Sequence, residues 1–448
     1  MIIIGIFYYL YVINAKILLE NYMTFLIGPM QHHISGHKDL TESKDILKVD
    51  CDEVAISLTI GSHTATPTVQ VGDHVKIGQL IGKREDRFYV PVFSSVSGEV
   101  IAIEKRMSAR LAPAEHIIIR NDHQDEKVNF RDISFDASKE DLINYMKEIG
   151  LLGQGGAGFP AYLKYSTDKC ETLIINAVEC EPYITADICN VERNLEDFKD
   201  GVKVLFRISG AKKCYIGIKE THAETISKLI ELFNGENGIE VKALKDVYPM
   251  GWERTLTYSI LGKRYDKLPI EVGAIVTNAT TAITLAQTIK TKTYVYERYV
   301  TVAGEHLRDS HNVLCRIGTP IRELFEVCGG IEVSPAIILM GGPMMGTSVT
   351  KDEVTITPIN NAVLVFDYKE QDKWACLRCG RCVEHCPSSL EPVSISEAYQ
   401  YTDVDRLGLL HVMDCVECGM CTYICPSKID VTENIRRAKK IFALRGKK

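Results

Sequence analysis

The sequence predicts a multidomain α/β chain that ends in a helical, cysteine-rich domain. Three observations predict it: short alternating strands between about residues 56 and 104, strands alternating with helical stretches from about residue 139, and two matching cysteine runs after residue 372. At 448 residues the chain is long enough for two to four domains. Hydrophobic residues make up 46% and charged residues 25%, which is ordinary globular composition. The net charge of −7 offers no general attraction to phosphate polymers, so a nucleic-acid partner is not expected.

In chain order, residues 1–29 form an apolar leader. Its core, Ile2 to Ile13, is shorter than the roughly 20 residues a spanning helix needs. It lacks the basic start and small-residue cleavage site of a signal peptide, and translation is expected to begin at Met23 or Met30. Residues 30–125 carry the short strands, with turn residues at Gly72-Asp73 and Ser97-Gly98. The segments VGDHVKIGQLIG and VPVFSSVSGEVIAI resemble a lipoyl-like barrel-sandwich hybrid. The hairpin Lys83-Arg-Glu-Asp-Arg-Phe lacks a methionine-flanked lysine, so a docking domain is expected rather than a swinging arm.

Residues 135–292 form an α/β domain. Helices are expected at Asp141–Ile149, Leu195–Ile208, His222–Phe233 and Thr281–Thr288. Strands are expected at 172–177, 214–218, 239–244 and 272–277, in a largely parallel sheet. Residues 293–345 return to strands, Tyr299 to Gly304 and Cys315 to Pro320, with a helix Ile321–Cys328; this resembles a β-grasp (SLBB-like) unit. A strand-rich connection is expected at 346–371, a two-cluster domain at 372–435 and a basic tail at 436–448.

The cysteine runs are Cys376-x-x-Cys379-x-x-Cys382-x-x-x-Cys386-Pro387 and Cys415-x-x-Cys418-x-x-Cys421-x-x-x-Cys425-Pro426. Three thiolates two residues apart wrap one face of a [4Fe–4S] cubane, and the proline after the fourth cysteine turns that thiolate toward the other cluster. One cluster is therefore assigned to Cys376, Cys379, Cys382 and Cys425, the other to Cys415, Cys418, Cys421 and Cys386. Structural zinc is the competing reading of paired C-x-x-C, but it gains nothing from the complete run occurring twice. A disulfide framework suits neither the chain length nor the spacing. Cys51, Cys170, Cys180, Cys189, Cys214, Cys315 and Cys328 lack ligand spacing and are expected to be mostly buried small hydrophobes.

Between the first helix and first strand of the α/β domain lies GLLGQGGAGFPAYLK, residues 150–164. Its glycines permit positive φ and close backbone approach to phosphate or a flat ring. The spacing is not the dinucleotide fingerprint, since the loop follows a helix. Downstream, Asn176 is expected at the carboxyl end of a buried strand, where open α/β sheets bind ligands. Glu179 and Glu181 stand beside it as acceptors for ribose or ribityl hydroxyls.

GLLGQGGAGFPAYLKY followed by INAVECEPYITAD resembles the flavin and NADH site of the NADH-binding flavoprotein of respiratory complex I and of the RnfC family, the C-subunit family of the Rnf electron transport complex. The order of modules and the ending CVECGMCTYICPSKIDVTENIRRAKK are similar to the latter over nearly all of the chain after about residue 50. The resemblance implies FMN, NAD(H) and two [4Fe–4S] clusters. It implies that Gly153, Gly155, Gly156, Gly158 and Lys164 line the phosphate side, with Phe159 near the nicotinamide or adenine. Asn176, Glu179 and Glu181 would hold the ribityl chain and ribose. Tyr248, Gly251 and Glu253 lie in YPMGWER, and Asn278, Thr280 and Thr281 match a flavin-contacting stretch. No side chain is expected to act as acid or base.

The implied role is a peripheral electron-transfer subunit at the cytoplasmic face of a membrane, in an ion-translocating ferredoxin:NAD+ oxidoreductase. Its partners would be other Rnf-type membrane subunits and a ferredoxin-linked cluster subunit. Trp252 stands in place of the family's second glycine, which bears on nicotinamide binding. The family's Gly-Gly-Ile-His-Pro-Pro opening is missing, and Ser62-His-Thr-Ala-Thr-Pro departs from its usual stretch. These departures favour an alternative, a soluble cytoplasmic carrier feeding a reductase such as proline reductase. A redox-inactive scaffold is a third reading, and it predicts a flavin-free protein that does not oxidise NADH. The basic end, IRRAKKIFALRGKK, is either a solvated helix end or a contact for anionic lipid or an acidic partner.

Overall fold

The computed structural model describes residues 32–445, apart from 62, 85–87 and 110. The leader expected at 1–29, the tip of the hairpin after Lys83 and the last three residues of the tail lie outside the described residues. Among the described residues no helix is long and apolar enough to cross a membrane. The chain divides into two compact units. One comprises Ser35–Asp246 and Met250–Tyr368; the other runs from Lys369 onward and takes in the segment up to Ile34 and Val247–Pro249.

The first unit begins with the barrel-sandwich module. Strands β1 (Glu53–Ser57), β5 (Pro113–Asn121) and β4 (Gly98–Met107) form an antiparallel sheet in that order, with His74–Val75 at its edge. In a second sheet β2 (Leu80–Arg84) lies between Thr66–Pro67 and β3 (Val90–Phe93) and pairs with both. Val54, Ile56, Ile81, Val92, Val100, Ile117 and Ile119 fill the space between them. The alternation read from the sequence is thus the alternation of side chains in and out of a two-sheet core.

The α/β domain follows with α1 (Lys139–Glu148), α2 (Ala161–Tyr165), β6 (Thr172–Ala177), α3 (Ala186–Arg193), α4 (Leu195–Ser209), β7 (Lys213–Lys219), α5 (Ala223–Leu232), β8 (Ile239–Leu244), α6 (Glu253–Leu261), β9 (Ala274–Asn278) and α7 (Ala279–Thr291). All four strands are parallel, in the order β8, β7, β6, β9. The strand expected from Val272 begins at Ala274, because Pro269–Val272 forms a 3-10 turn closed by Gly273. Helices α2, α3 and α6 are additions to the expected elements. Leu173, Ile175, Ile216 and Ile218 meet Phe198, Val202 and Leu205 of α4 and Ile283 of α7 in the largest core. Gly201 lets α4 approach α7 so closely that a Cβ there would sit 2.0 Å from the Ala282 carbonyl oxygen.

The next sheet is formed by β10 (Glu297–Ala303), β11 (His311–Arg316), β12 (Ala336–Met340), β13 (Thr347–Val349) and β14 (Ala362–Asp367), with α8 (Ile321–Val327) packed on it. Its order is Leu47–Lys48, β11, β10, β14, β12, β13, and β10 runs parallel to β14. The second strand–first strand–last strand–third strand order, with its helix after the second strand, is a β-grasp arrangement. Two boundaries need correction. The expected connection 346–371 supplies β14, whose residues Ala362 to Val365 are buried on both faces at the centre of the sheet, so the unit extends to Asp367. The strand expected at Cys315–Pro320 lies earlier, at His311–Arg316, because Gly318 turns the chain with positive φ.

In the second unit, α9 (Arg381–Glu384), α10 (Pro392–Gln400), α11 (Val404–Leu409), α12 (Met420–Tyr423) and α13 (Val431–Arg445) carry the cysteine runs. Ile395, Ala398, Leu407, Ile435 and Ala438 form its core. The basic tail expected from residue 436 is instead the body of α13. Burial of Ile435 and Ala438 carries the helix through that boundary, and Arg436 and Lys439 both pair with Glu417. Of the seven remaining cysteines, Cys51, Cys170, Cys214, Cys315 and Cys328 are buried, whereas Cys180 and Cys189 are partly exposed.

Candidate cofactor-binding and cluster sites

The strand order of the α/β sheet creates a crevice. The chain steps outward from β6 through β7 to β8, then returns to the other side of β6 as β9, so the loops leaving β6 and β9 diverge. Ligands in open α/β sheets bind at such a switch point, beyond the carboxyl ends of the strands. Asn176 and Asn278 are register partners at the ends of those two strands. Asn176 donates through Nδ2 to the Gly251 carbonyl at 2.7 Å and accepts from the Val178 amide at 3.1 Å. Asn278 caps α7 by accepting from the Thr280 amide at 2.9 Å.

The glycine loop is folded onto this edge. The Gly153 amide donates to the Phe159 carbonyl at 2.8 Å and closes its mouth. Gly156 and Gly158 have φ of +101° and +64°, conformations that L side chains rarely adopt. A Cβ on Gly155 would lie 3.5 Å from Asn278 Cβ, whereas one on Gly156 would meet nothing within 4 Å. The loop thus presents bare backbone beside the end of β9. Lys164, on α2, donates to the Val276 carbonyl at 2.9 Å and lies 3.5 Å from Glu253 at the start of α6. Gly251 packs against Cys180, whose sulfur would be 3.1 Å from an added Cβ.

Several residues without an assigned role in the motifs hold this arrangement. Asp187 is buried and accepts from Asn278 Nδ2 at 2.6 Å and from the Thr280 hydroxyl at 2.8 Å. Asn190 donates to the Thr280 hydroxyl oxygen at 3.2 Å. The Gln154 amide donates to the Thr281 hydroxyl oxygen at 3.0 Å, and its side chain donates to Thr284 at 3.1 Å. Arg298, also buried, donates to the Gln154 side-chain and main-chain oxygens at 2.6 and 3.1 Å. Gln154 and Asp187 sit inside the quoted motifs, so a polar side chain among glycines and an acid at a helix start were the available signals. Arg298 had none beyond its type.

The structure does not gather every expected residue into the crevice. Glu179, at φ +41°, turns its carboxylate onto the first amides of α3, accepting from Asp187 at 2.8 Å and Ile188 at 3.4 Å. Burial pushes it up to about 7 against the pull of Lys38. Glu181 accepts from the Met344 and Met345 amides at 3.2 and 3.0 Å. Phe159 is partly exposed and meets Phe88 edge-on, with ring centroids 6.2 Å apart. Trp252 lies under the Arg254 guanidinium, 5.8 Å from its ring centroid. Tyr248 belongs to the other unit, where its hydroxyl donates to the Cys418 carbonyl at 2.6 Å.

The two cysteine runs repeat in three dimensions. Arg378 and Glu417, at equivalent positions, both adopt positive φ, as do Gly380 and Gly419, and Ser389 and Lys428. The turn brings the Arg378 and Glu417 amides to 3.4 Å from the sulfurs of Cys376 and Cys415. The Leu390 amide likewise lies 3.4 Å from Cys386 Sγ. Cys386 is within electrostatic reach of Cys415, Cys418 and Cys421, the thiols of the second run. Burial raises all four thiols above the ordinary range, a tendency that bound iron reverses by stabilising thiolate. Free thiols surrounded by inward-aimed amides fit an iron–sulfur cluster. The bare glycine backbone, paired asparagines and helix start fit a flavin nucleotide.

Residues 31–124 match the RnfC barrel sandwich hybrid domain, residues 146–287 the Nuo51 FMN-binding domain and residues 368–426 a 4Fe-4S dicluster domain. The chain is 34% identical over 411 residues to the C subunit of the Na(+)-translocating ferredoxin:NAD(+) oxidoreductase complex of Acetobacterium woodii, spanning 88% of this chain and 91% of that one. It is 31% identical over 352 residues to the C subunit of the proton-translocating ferredoxin:NAD(+) oxidoreductase complex of Clostridium ljungdahlii, spanning 75% and 76%. Among solved structures, a chain of the NAD+-reducing [NiFe]-hydrogenase in the H2-reduced state is similar at 15% identity and a TM-score of 0.49, over 70% of this chain and 62% of that one.

Proposed function

Because this chain belongs to the RnfC family, the C subunits of Rnf complexes, we propose that it transfers electrons between NAD(H), FMN and two [4Fe–4S] clusters as the peripheral subunit of an ion-translocating ferredoxin:NAD+ oxidoreductase. Its partners are the other subunits of that complex, at the cytoplasmic face of the membrane. The observation that carries the flavin assignment is the crevice between β6 and β9, with Asn176 and Asn278 at its lip and the glycine loop alongside.

When bound, FMN exchanges electron pairs with nicotinamide as hydride and passes electrons on singly, which clusters require. The chain's task is to bind and orient. Gly155 and Gly156 admit the flavin nucleotide to main-chain distance, and the start of α7 offers amides and a favourable dipole to its phosphate. Lys164 adds a cation beside β9, and Phe159 offers an exposed ring to the nicotinamide nucleotide. Glu179 and Glu181 accept from backbone amides, which holds α3 and the 344–345 loop, and their remaining lone pairs serve ribityl or ribose hydroxyls.

Titration of the reconstituted protein with FMN, followed by quenching of flavin fluorescence, tests the crevice. Asn278→Ala and Asn176→Ala are each expected to weaken binding by about tenfold, as loss of one well-made hydrogen bond implies, with iron content unchanged. Unaltered affinity in both variants would put the flavin elsewhere. The soluble carrier feeding a reductase is the second reading, favoured by Trp252 under Arg254 in the segment that holds Gly251. Co-purification with integral membrane proteins of the complex supports the first reading, and recovery with a soluble reductase supports the second.

A further inference from the structure

The repeat of the cluster domain places different chemistry at equivalent positions of its two halves. In the second half, Thr432 Oγ1 lies 3.3 Å from the sulfur of Cys421. The Thr422 hydroxyl donates to Thr432 Oγ1 at 2.9 Å and accepts from the Thr432 amide at 2.8 Å. With the Thr422 hydrogen committed to Thr432 Oγ1, the hydrogen of Thr432 is directed at the sulfur. Cys421 and Thr432 are both buried, which strengthens the contact. In the first half the same three positions are Cys382, Val383 and Val393, so no hydroxyl stands there. There the main-chain amides of Val393 and Val383 face the Cys382 sulfur, whereas in the second half the Thr432 amide is spent on Thr422.

We propose that Thr432, oriented by Thr422, donates a hydrogen bond to the ligand sulfur of Cys421 and thereby raises the reduction potential of the cluster held by Cys386, Cys415, Cys418 and Cys421. The proposal rests on the reading of the cysteine runs as cluster ligands. One-electron reduction adds negative charge that spreads over the sulfurs, and a donor at a ligand sulfur stabilises the reduced form more than the oxidised one. The halves also differ in exposure, with Cys376 and Cys379 exposed and Cys418 and Cys421 buried, so the hydroxyl pair sets the potential of its own cluster and not the ranking of the two.

Anaerobic redox titration of the full-length reconstituted chain, followed by EPR, tests this. Thr432→Val is expected to lower one of the two midpoints, changing the oxidised-to-reduced ratio at fixed potential by about tenfold, or about 59 mV for one electron. Thr432→Ser keeps the hydroxyl and is expected to keep that midpoint. Val393→Thr is expected to raise the other midpoint. Unchanged midpoints in both Thr432→Val and Val393→Thr, with iron and acid-labile sulfide retained, would overturn the proposal. If Thr432→Val does not assemble its clusters, Val393→Thr decides alone. A wild-type chain without iron and labile sulfide would instead overturn the cluster reading, and the proposal with it.

Discussion

At the scale of single residues, the side chains that touch the crevice were easier to find than those that hold it. Asn176 could be read because strand ends in α/β sheets bind ligands, Asn278 because of the family resemblance, and the glycines because so many in one loop permit close backbone approach. Asp187 and Arg298 act through neighbours brought together from distant parts of the chain, and no spacing rule reports such meetings. Asp187 gives the sharper test. Asp187→Ala leaves the Asn278 amide and the Thr280 hydroxyl without their acceptor, a loss of about 1–3 kcal/mol. Urea unfolding is expected to show that loss, together with weaker FMN retention. For Arg298→Met, the prediction is release of Gln154 and weakened FMN binding with little change in cluster content, measured by flavin and iron analysis. Glu179 and Glu181 have a second use that their place beside a strand end did not announce: their oxygens fasten amides of the chain itself.

At the scale of elements, the helices of ten residues or more were legible, as was the seven-residue α8, whereas the shorter α2, α3 and α6 were not. Strand β6 is found at its expected residues, since Thr172 to Ala177 can only be a buried parallel strand in this context. Helix α3 was hidden because it spans only Ala186–Arg193, directly before α4. Strand β14 was read as connection because its central place in the sheet comes from pairing with both β10 and β12, a long-range event. Close helix contact yields a prediction here. Gly201→Ala would improve helix propensity by about 1 kcal/mol, but its Cβ would meet the Ala282 carbonyl at 2.0 Å. The helices must part, at a net cost of about 2 kcal/mol. A lower thermal midpoint checks this, and an unchanged one would mean that α4 and α7 can separate freely.

At the scale of the whole molecule, the order of modules was the most legible property, because each announces itself by a different period: alternation in the barrel-sandwich module, strand and helix in the flavin domain, and repeated cysteines at the end. The arrangement implies a division of labour in which one unit binds nucleotides and the other stores single electrons. Under the proposed function, NADH reduces the clusters through the flavin site of this same chain. The deciding experiment is anaerobic mixing of the protein, reconstituted with iron, sulfide and FMN, with NADH, while flavin absorbance and cluster EPR are followed together. Rapid flavin bleaching followed by a reduced-cluster signal is expected, with both lost when FMN is removed. Reduction of both centres by dithionite but of neither by NADH would contradict that function, and would leave the chain as a carrier for a different donor.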